Sequence, residues 1–595
     1  MILPKFNKNL FEFYSILILL AVFAPKLNAV DNVSLRWLSV SAVNFAFLSY
    51  ILINKKTYYL KSSSVLKIFT VLFFVSAISI INSVNINESL VSLNKIFIVL
   101  STIFCVSIFS SKEKSFQSLT YFLFISVLFE SSYVFYDYIT SADLNFTGVS
   151  MNRNISAFSI LIKLPFFFIY KFINQNQNKP LSLLQEIIII SSIIILESRA
   201  AIVVLIIIYL LKTAFTKDKL KSIITIFLSV LSLIIYYPFS RILQNKSLGA
   251  NIISDESLNL RLDFFSTSIE LFFNNPIIGN GIGMWKILSN QMSTSVVPYY
   301  VHNDFLQFLM ETGIIGFTLY IFFFISVFYL IKQNWNNNSF YFLMAVIIFL
   351  IDSFINFPFH RPQQIIIFIL IIGLLINSSN SNNINFNKSL LIAMIFPLLF
   401  SIYISFKVVK SSFLENTLRL DLMKKEYSIN VNDLSKIDYR FPNLSSNTVP
   451  FSSYLARYYI NNNDFENADV LIEYGINSNP FISYSKDLKL QSLLMQNKFI
   501  QALRQVKLLL KNSNDSELYF DIFFNICLSL NLEQELINIY PLINDSNNEV
   551  LIVKFFKNYT GLQQYDKEIF RDLIIKEIIR YPENDDLNQL YNKVK

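Results

Sequence analysis

Residues 64–82 read SVLKIFTVLFFVSAISIIN, an apolar run interrupted by a single charge at Lys67. A helix rises 1.5 Å per residue and needs about 20 mostly apolar residues to cross a bilayer. This run has that length, and similar runs recur through the first two-thirds of the 595-residue chain. Working outward from it, thirteen spans are expected, near 13–30, 35–53, 64–82, 91–110, 116–138, 152–171, 183–197, 200–215, 221–240, 312–331, 340–357, 363–377 and 388–408. With 53% hydrophobic residues and a mean hydropathy of +0.48, the chain is too apolar for one soluble globule. The expected fold class is all-α. It comprises a polytopic membrane bundle with a long outer loop at 241–311, followed by a C-terminal α-solenoid.

The N-terminus, MILPKFNKNLFEFYSILILLAVFAPKLNAV, places lysines before an apolar run, as a signal peptide does. Glu12 abuts that run and no small-x-small cleavage site follows, so it reads as an uncleaved first span. With the N-terminus in the cytoplasm, the inner loops contain NKKTYYLKSS, SKEKS, KFINQNQNKP and KTAFTKDKLK, all bearing lysine as the positive-inside rule requires. The arginines of the membrane part (Arg36, Arg153, Arg199, Arg241, Arg261 and Arg361) all fall at the expected outer face. Arginine presents a planar donor fork suited to phosphate, whereas lysine acts as a point charge. As a set they point to an outward-facing anion site, although any one of them could serve an interfacial ion pair. The pair of short spans at 183–197 and 200–215 is the weakest point of the count. If they form one broken span, everything after them inverts.

Two cysteines, Cys105 and Cys527, provide no disulfide framework and no metal-ligand spacing. Five of the ten glycines lie between Gly279 and Gly316. There, RLDFFSTSIELFF sets Phe264, Ser268 and Leu271 on one helical face, as in a helix lying at a membrane surface. NNPIIGNGIG then reads as a turn, and VHNDFLQFLMETGIIG enters the next span behind one of the chain's two histidines. As a nucleotide loop, GNGIG lacks both the preceding strand and the Lys-Ser/Thr of a P-loop.

Taken together, the Arg-led helix, NPIIGNGIGMW and HNDFLQFLMETGIIGF resemble the O-antigen ligase and polymerase superfamily. GVSMNRNISAFSI resembles its Asn-rich outer motif, ESRAAI its Ser-Arg turn, and FINFPFHRPQ an outer motif before a late span. The resemblance covers about 150–375. Its one departure is GNGIGMW, where an aromatic more often follows directly. The resemblance implies transfer of a glycan from polyprenyl (undecaprenyl) diphosphate to an acceptor hydroxyl, with lipid A-core as the expected acceptor, on the periplasmic face of the bacterial inner membrane.

Such a reaction needs positive charge where the leaving diphosphate develops negative charge, and a general base for a weakly nucleophilic hydroxyl. Histidine titrates near neutrality and suits the second task. The resemblance makes His302 the catalytic residue. Arg199 and Arg261 become the diphosphate ligands, with Arg361, Arg153 and His360 as further candidates. Asp304 or Glu311 would orient His302, and the sequence does not choose between them. Asn303 reads as a cap of the following helix. Gly281 and Gly283 read either as a plain turn or as substrate contacts. For Arg261 the alternative is an ion pair with Asp263, Asp255 or Glu256. No Asp-x-Asp motif is read here and the two histidines are far apart in sequence, so a metal-independent reaction with no cofactor is expected.

Beyond about residue 410 the composition changes to dense charge and amphipathic helical segments, which sets the expected domains at 1–410 and 411–595. LARYYINNNDFENADVLIEYGINSNP fits a tetratricopeptide repeat, and Ala502 follows Ala468 by 34 residues, the period of that repeat. Such a solenoid would present a concave surface to a protein partner or acceptor, or else brace the membrane part. The expected partners are a lipid-diphosphate-linked glycan, a hydroxyl acceptor and membrane lipids, with no nucleic acid. A glycan polymerase and a protein O-oligosaccharyltransferase are the rivals within the superfamily. A secondary transporter is the rival outside it, but no repeated half of the kind such transporters show is found.

Overall fold

The computed structural model describes residues 10–25, 27, 29–31, 33–53, 59–109, 114–141, 146–173, 180–215, 227, 256–292, 298–336, 338–378, 383–385, 388–512 and 516–594. The chain divides into two compact units, Met1–Leu420 and Asp421–Lys595.

The principal helices of the first unit are α1 (Leu10–Val22), α2 (Ser34–Ile53), α3 (Ser64–Ser79), α4 (Ile86–Val106), α5 (Lys114–Thr140), α6 (Arg153–Leu161) and α7 (Leu164–Ile173). They continue with α8 (Pro180–Ile195), α9 (Arg199–Phe215), α10 (Glu256–Asn274), α11 (Asp304–Gln333), α12 (Ser339–Ile355), α13 (Pro362–Ser378) and α14 (Lys388–Lys424). Seven described helical stretches are long and apolar enough to cross a membrane, and four shorter apolar helices accompany them. The protein is an all-α, multi-pass membrane protein.

Short polar side chains set several helix starts. Ser63, Asn85, Asn152 and Asn303 each accept a backbone N–H from the first turn that follows. The first helix stops at Val22, short of the expected 30, because Pro25 lacks a backbone N–H and disfavours helix in the residue before it. The sixth expected span is divided between α6 and α7. Beside that break the buried Lys163 amine meets Glu130 at 2.6 Å. The ninth expected span, 221–240, and Arg241 lie outside the described residues, apart from Phe227. At the centre runs α13, apolar on all sides and buried on all sides from Ile365 to Ile372.

Three expected inner loops are joined by a small antiparallel sheet. Strand β1 (Tyr59–Lys61) pairs with β2 (Ile108–Phe109) on one edge and β3 (Asn383–Asn385) on the other. At the other end of α3, Asn82 donates to the Gly279 carbonyl at 2.8 Å. The lysine-bearing loops and the glycine-rich loop therefore occupy opposite ends of the bundle. Asp31 donates its N–H to Ser412 Oγ at 2.7 Å, so α14 starts beside β3 and reaches the end where the α1–α2 loop lies.

The main helices of the second unit are α15 (Phe451–Asn461), α16 (Phe465–Ser478), α17 (Ser483–Met495), α18 (Phe499–Asn512), α19 (Glu517–Leu530), α20 (Glu533–Asp545), α21 (Glu549–Tyr559), α22 (Lys567–Arg580) and α23 (Asp585–Val594). Each of α15 to α18 packs on the next, and α15 also meets α17. Gly475 permits this close approach, because a Cβ there would collide with Ser453 Oγ, which itself bonds Ser485 Oγ at 2.7 Å. Asn463, Asn497 and Asn531 hold left-handed backbone (φ 56°, 56° and 51°) after α15, α17 and α19, at steps of 34 residues. Asparagine tolerates that conformation better than most residues.

Candidate active site

The backbone frame comes first. α11 is not one rod, because Gly313 adopts φ 66°, ψ −171° and splits it into 304–312 and 314–333. The Pro276–Gly283 turn fills the break. Ile314 N–H donates to Pro276 O at 2.9 Å, Asn280 N–H to Met310 O at 3.0 Å, and Gly281 N–H to Glu311 O at 3.0 Å. Asn280 Nδ2 also donates to Leu271 O at 2.7 Å and Met310 O at 3.2 Å. These bonds satisfy backbone groups that the break would otherwise leave bare. A Cβ on Gly279 would strike the Glu311 carbonyl, and one on Gly313 the Ile277 carbonyl; both glycines also have positive φ. Two backbones approach here as only glycine allows.

The same turn is held from the other side. Ile282 N–H donates to Ser79 Oγ at 3.0 Å, and Ser89 Oγ donates to Ile282 O at 2.7 Å. Gly281 and Gly283 lie against Ser83 and Ser92, so their Cβ sides face protein.

His302 sits just before α11 in left-handed backbone, φ 61°. Its neighbours are pinned on both sides. Val301 N–H donates to Gln307 Oε1 at 3.3 Å, and Asn303 Oδ1 caps α11 by accepting Leu306 N–H at 3.1 Å. Gln307 Nε2 in turn donates to Glu311 Oε1 at 3.1 Å, which also accepts Trp285 N–H at 3.3 Å. Glu311 therefore bears on His302 through Gln307 and the Val301 backbone. Asp304 Oδ2 accepts Phe359 N–H at 3.0 Å and ties α11 to the Pro358–His360 turn. Of the choice left open between Asp304 and Glu311, the geometry shows neither bonded to the imidazole, whose Nδ1 is buried without a partner.

The face of α10 that carries Phe264, Ser268 and Leu271 is buried against the start of α11, where Ser268 Oγ donates to Leu306 O at 3.2 Å. This contact brings the Phe264 ring to 6.2 Å from the His302 ring, nearly parallel, while Phe357 meets the imidazole edge-on at 4.9 Å. One turn before Phe264, Arg261 Nη1 donates to Ile355 O at the end of α12, at 3.2 Å. The Arg361 guanidinium lies 4.9 Å from the Phe357 ring centroid and 5.7 Å from that of Tyr300. His360 meets Tyr300 at 4.7 Å. Arg361 Nε and His360 Nε2 are buried without partners.

Burial, then the nearby Arg261 and Arg361 charges, push the His302 imidazole down to about 4. Burial, with Lys95 and Arg361, holds His360 well below the usual histidine range. Both imidazoles are thus neutral at neutral pH, the form that accepts a proton.

Arg153 and Arg199 belong to a second locus. Arg153 pairs with Glu197 at 3.0 Å and stacks over Phe146 at 4.2 Å, and Arg199 is exposed at the start of α9. Their helices α6 and α9 pack on α12, the helix whose end receives Arg261. Gln307 and the aromatic pair Tyr300 and Phe357 were not singled out from the sequence. Gln307 carried a signal, standing four residues from both Asn303 and Glu311 on a helix face.

Fold and site define a multi-pass helical membrane protein with a buried histidine, in the field of the Arg261 and Arg361 charges, at one end of its bundle. Residues 187–321 match the protein-family model for O-antigen ligase. The match includes Arg199, Arg261, His302 and Glu311 and excludes Arg153, His360 and Arg361. No curated protein matches the chain.

Proposed function

We propose that the protein transfers a glycan from polyprenyl diphosphate, undecaprenyl diphosphate in bacteria, to an acceptor hydroxyl, with lipid A-core as acceptor, on the periplasmic face of the inner membrane. The observation that carries this reading is the neutral His302 set beside Arg261 and Arg361. In the proposed step the acceptor oxygen attacks the anomeric carbon of the glycan. The bond from that carbon to the diphosphate oxygen breaks, the electron pair leaves with the diphosphate, and the hydroxyl proton passes to the imidazole. Arg261 and Arg361 hold the leaving diphosphate. Their charge acts where negative charge develops, beside the Phe264, Phe357 and Tyr300 rings. Gln307 and Asn303 hold His302 in position, and Asp304 holds the turn that carries Arg361.

The test uses purified protein, polyprenyl-diphosphate glycan and separate acceptors, with the products read by mass. His302→Ala is expected to lower transfer by about 100- to 10,000-fold, the usual worth of a general base, with membrane insertion intact. Activity within a few-fold of wild type would remove the base role. Arg261→Lys and Arg361→Lys keep the charge but lose the fork, and each is expected to cut transfer by about tenfold or more. Glycan found on a growing lipid-linked chain would make the enzyme a polymerase, and glycan on Ser or Thr a protein glycosyltransferase.

A further inference from the structure

Three helices of the membrane unit leave a long gap between them. α3 and α14 begin beside the small sheet, and α4 ends there. Their facing sides line an apolar groove of about 700 Å³. On α4 the lining runs from Leu90 to Phe104, and on α14 from Leu390 to Ile404, a reach of 14 positions on each. At 1.5 Å per residue both correspond to a length of about 21 Å. One leaflet of hydrocarbon is about 15 Å deep, so the groove accommodates a whole acyl chain. Phe97 and Phe104 on α4 are buried at its floor, whereas Phe74 on α3 and Phe400 on α14 are 59% and 58% exposed at its margins. The groove is therefore open sideways, along helices long and apolar enough to span a membrane.

The few polar groups of the lining indicate the occupant. Thr70 Oγ1 donates to Leu66 O at 2.7 Å, and Asn94 Nδ2 donates to Ser405 Oγ at 2.9 Å. The second bond ties α4 to α14 about one turn short of Leu90, at the end away from the sheet. A bound water needs two to four polar partners, so a gap lined this way fills with hydrocarbon. Among the lining residues Lys67 is the only charged one. It is exposed on the first turns of α3, at the sheet end. The proposed diphosphate ligands lie at the opposite end of the bundle. The chain in the groove thus belongs to a lipid whose headgroup sits at the sheet end beside a cation. A basic group between spanning helices favours an anionic headgroup there.

We propose that the groove between α3, α4 and α14 is a binding site for an anionic phospholipid, with one acyl chain lying along α4 and its phosphate on Lys67. The site is separate from the one that holds His302, and it adds a structural lipid to the membrane unit.

The test places the full chain in nanodiscs that contain phosphatidylglycerol and phosphatidylcholine with identical acyl chains, and reads the retained lipid by native mass spectrometry. Wild type is expected to retain phosphatidylglycerol about fivefold in preference to phosphatidylcholine, the usual worth of one lysine at an anionic surface. Lys67→Gln is expected to remove that preference, and Ala393→Trp, which fills the groove from α14, to lower retention of both lipids. Equal retention of the two lipids by wild type, or a preference that survives Lys67→Gln, overturns the proposal. On the unaltered protein, phosphatidylglycerol with a photoreactive group on its acyl chain is expected to attach to the peptides that carry Phe97 and Pro397. Attachment spread evenly over the lipid-facing helices also overturns the proposal. So does attachment lost on adding undecaprenyl phosphate, which would give the groove to a polyprenyl tail.

Discussion

At the scale of single residues, the proposed chemistry turns on what surrounds His302. Its folded value of about 4 lies below the ordinary 6.5, so between those values the unfolded chain binds the proton and the folded one does not. Stability therefore falls as pH drops through that window. We expect the melting temperature of the purified protein to decline from about pH 7 to about pH 5, and His302→Gln to reduce the decline. An unchanged slope in the variant would show that the imidazole is not held neutral. Catalysis carries a second signature. A diphosphate seated on Arg261 and Arg361 cancels the charges that depress His302, so the imidazole becomes more basic when donor is bound. The acid limb of kcat, which reports the complex, is expected at higher pH than that of kcat/KM, which reports the free enzyme. Coincident limbs would detach the histidine from the arginines.

At the scale of elements, the glycine-rich turn acts as a splint across the broken α11. Gly279 and Gly313 face each other's backbones, so each glycine is needed by the other's chain segment. Gly279→Ala and Gly313→Ala are each expected to destabilise the fold by about 2–4 kcal/mol, because each adds a steric clash to a strained positive φ. Thermal unfolding and transfer activity measured together would check this. If both variants melt and act as wild type does, the close approach is not required. The 34-residue step between Ala468 and Ala502 returns in the second unit as Asn463, Asn497 and Asn531, each turning the chain between two helices. A docking surface remains the role proposed for a tetratricopeptide-like unit here.

At the scale of the whole molecule, the small sheet gathers three lysine-bearing or polar loops at one end, while the site assembles at the other. α14 begins at the sheet end and carries Ser412 to the end of Asp31. The region after it is expected on the periplasmic side. A single cysteine placed at the exposed Asn463, in a background without Cys105 and Cys527, should react with a membrane-impermeant thiol reagent in intact spheroplasts. Reaction only after permeabilisation would place the region in the cytoplasm. Deleting 425–595 is expected to weaken acceptor use more than donor binding, because the proposed diphosphate ligands all lie in the membrane unit. Equal loss of both would favour a bracing role.

Much of the fold was legible in the sequence, because apolar runs of bilayer length and the capping Asn303 are signals carried by residues close together in the chain. The 34-residue period was legible for the same reason, and so was the resemblance carried by the HNDFLQ and NPIIGNG stretches. Local composition did not show that Gly313 breaks α11, since FLMETGIIGF is apolar enough to read as one continuous helix. That break exists because a distant turn supplies the hydrogen bonds it needs. Nor did the sequence choose between Asp304 and Glu311, because what each carboxylate bonds depends on Phe359, Trp285 and Gln307 meeting it in space. The two histidines, 58 positions apart in the chain (302 to 360), share one aromatic cluster through Phe357 and Tyr300. Only the tertiary structure could decide that, because electrostatic and ring contacts depend on distance through space, whereas sequence order constrains that distance only between near neighbours.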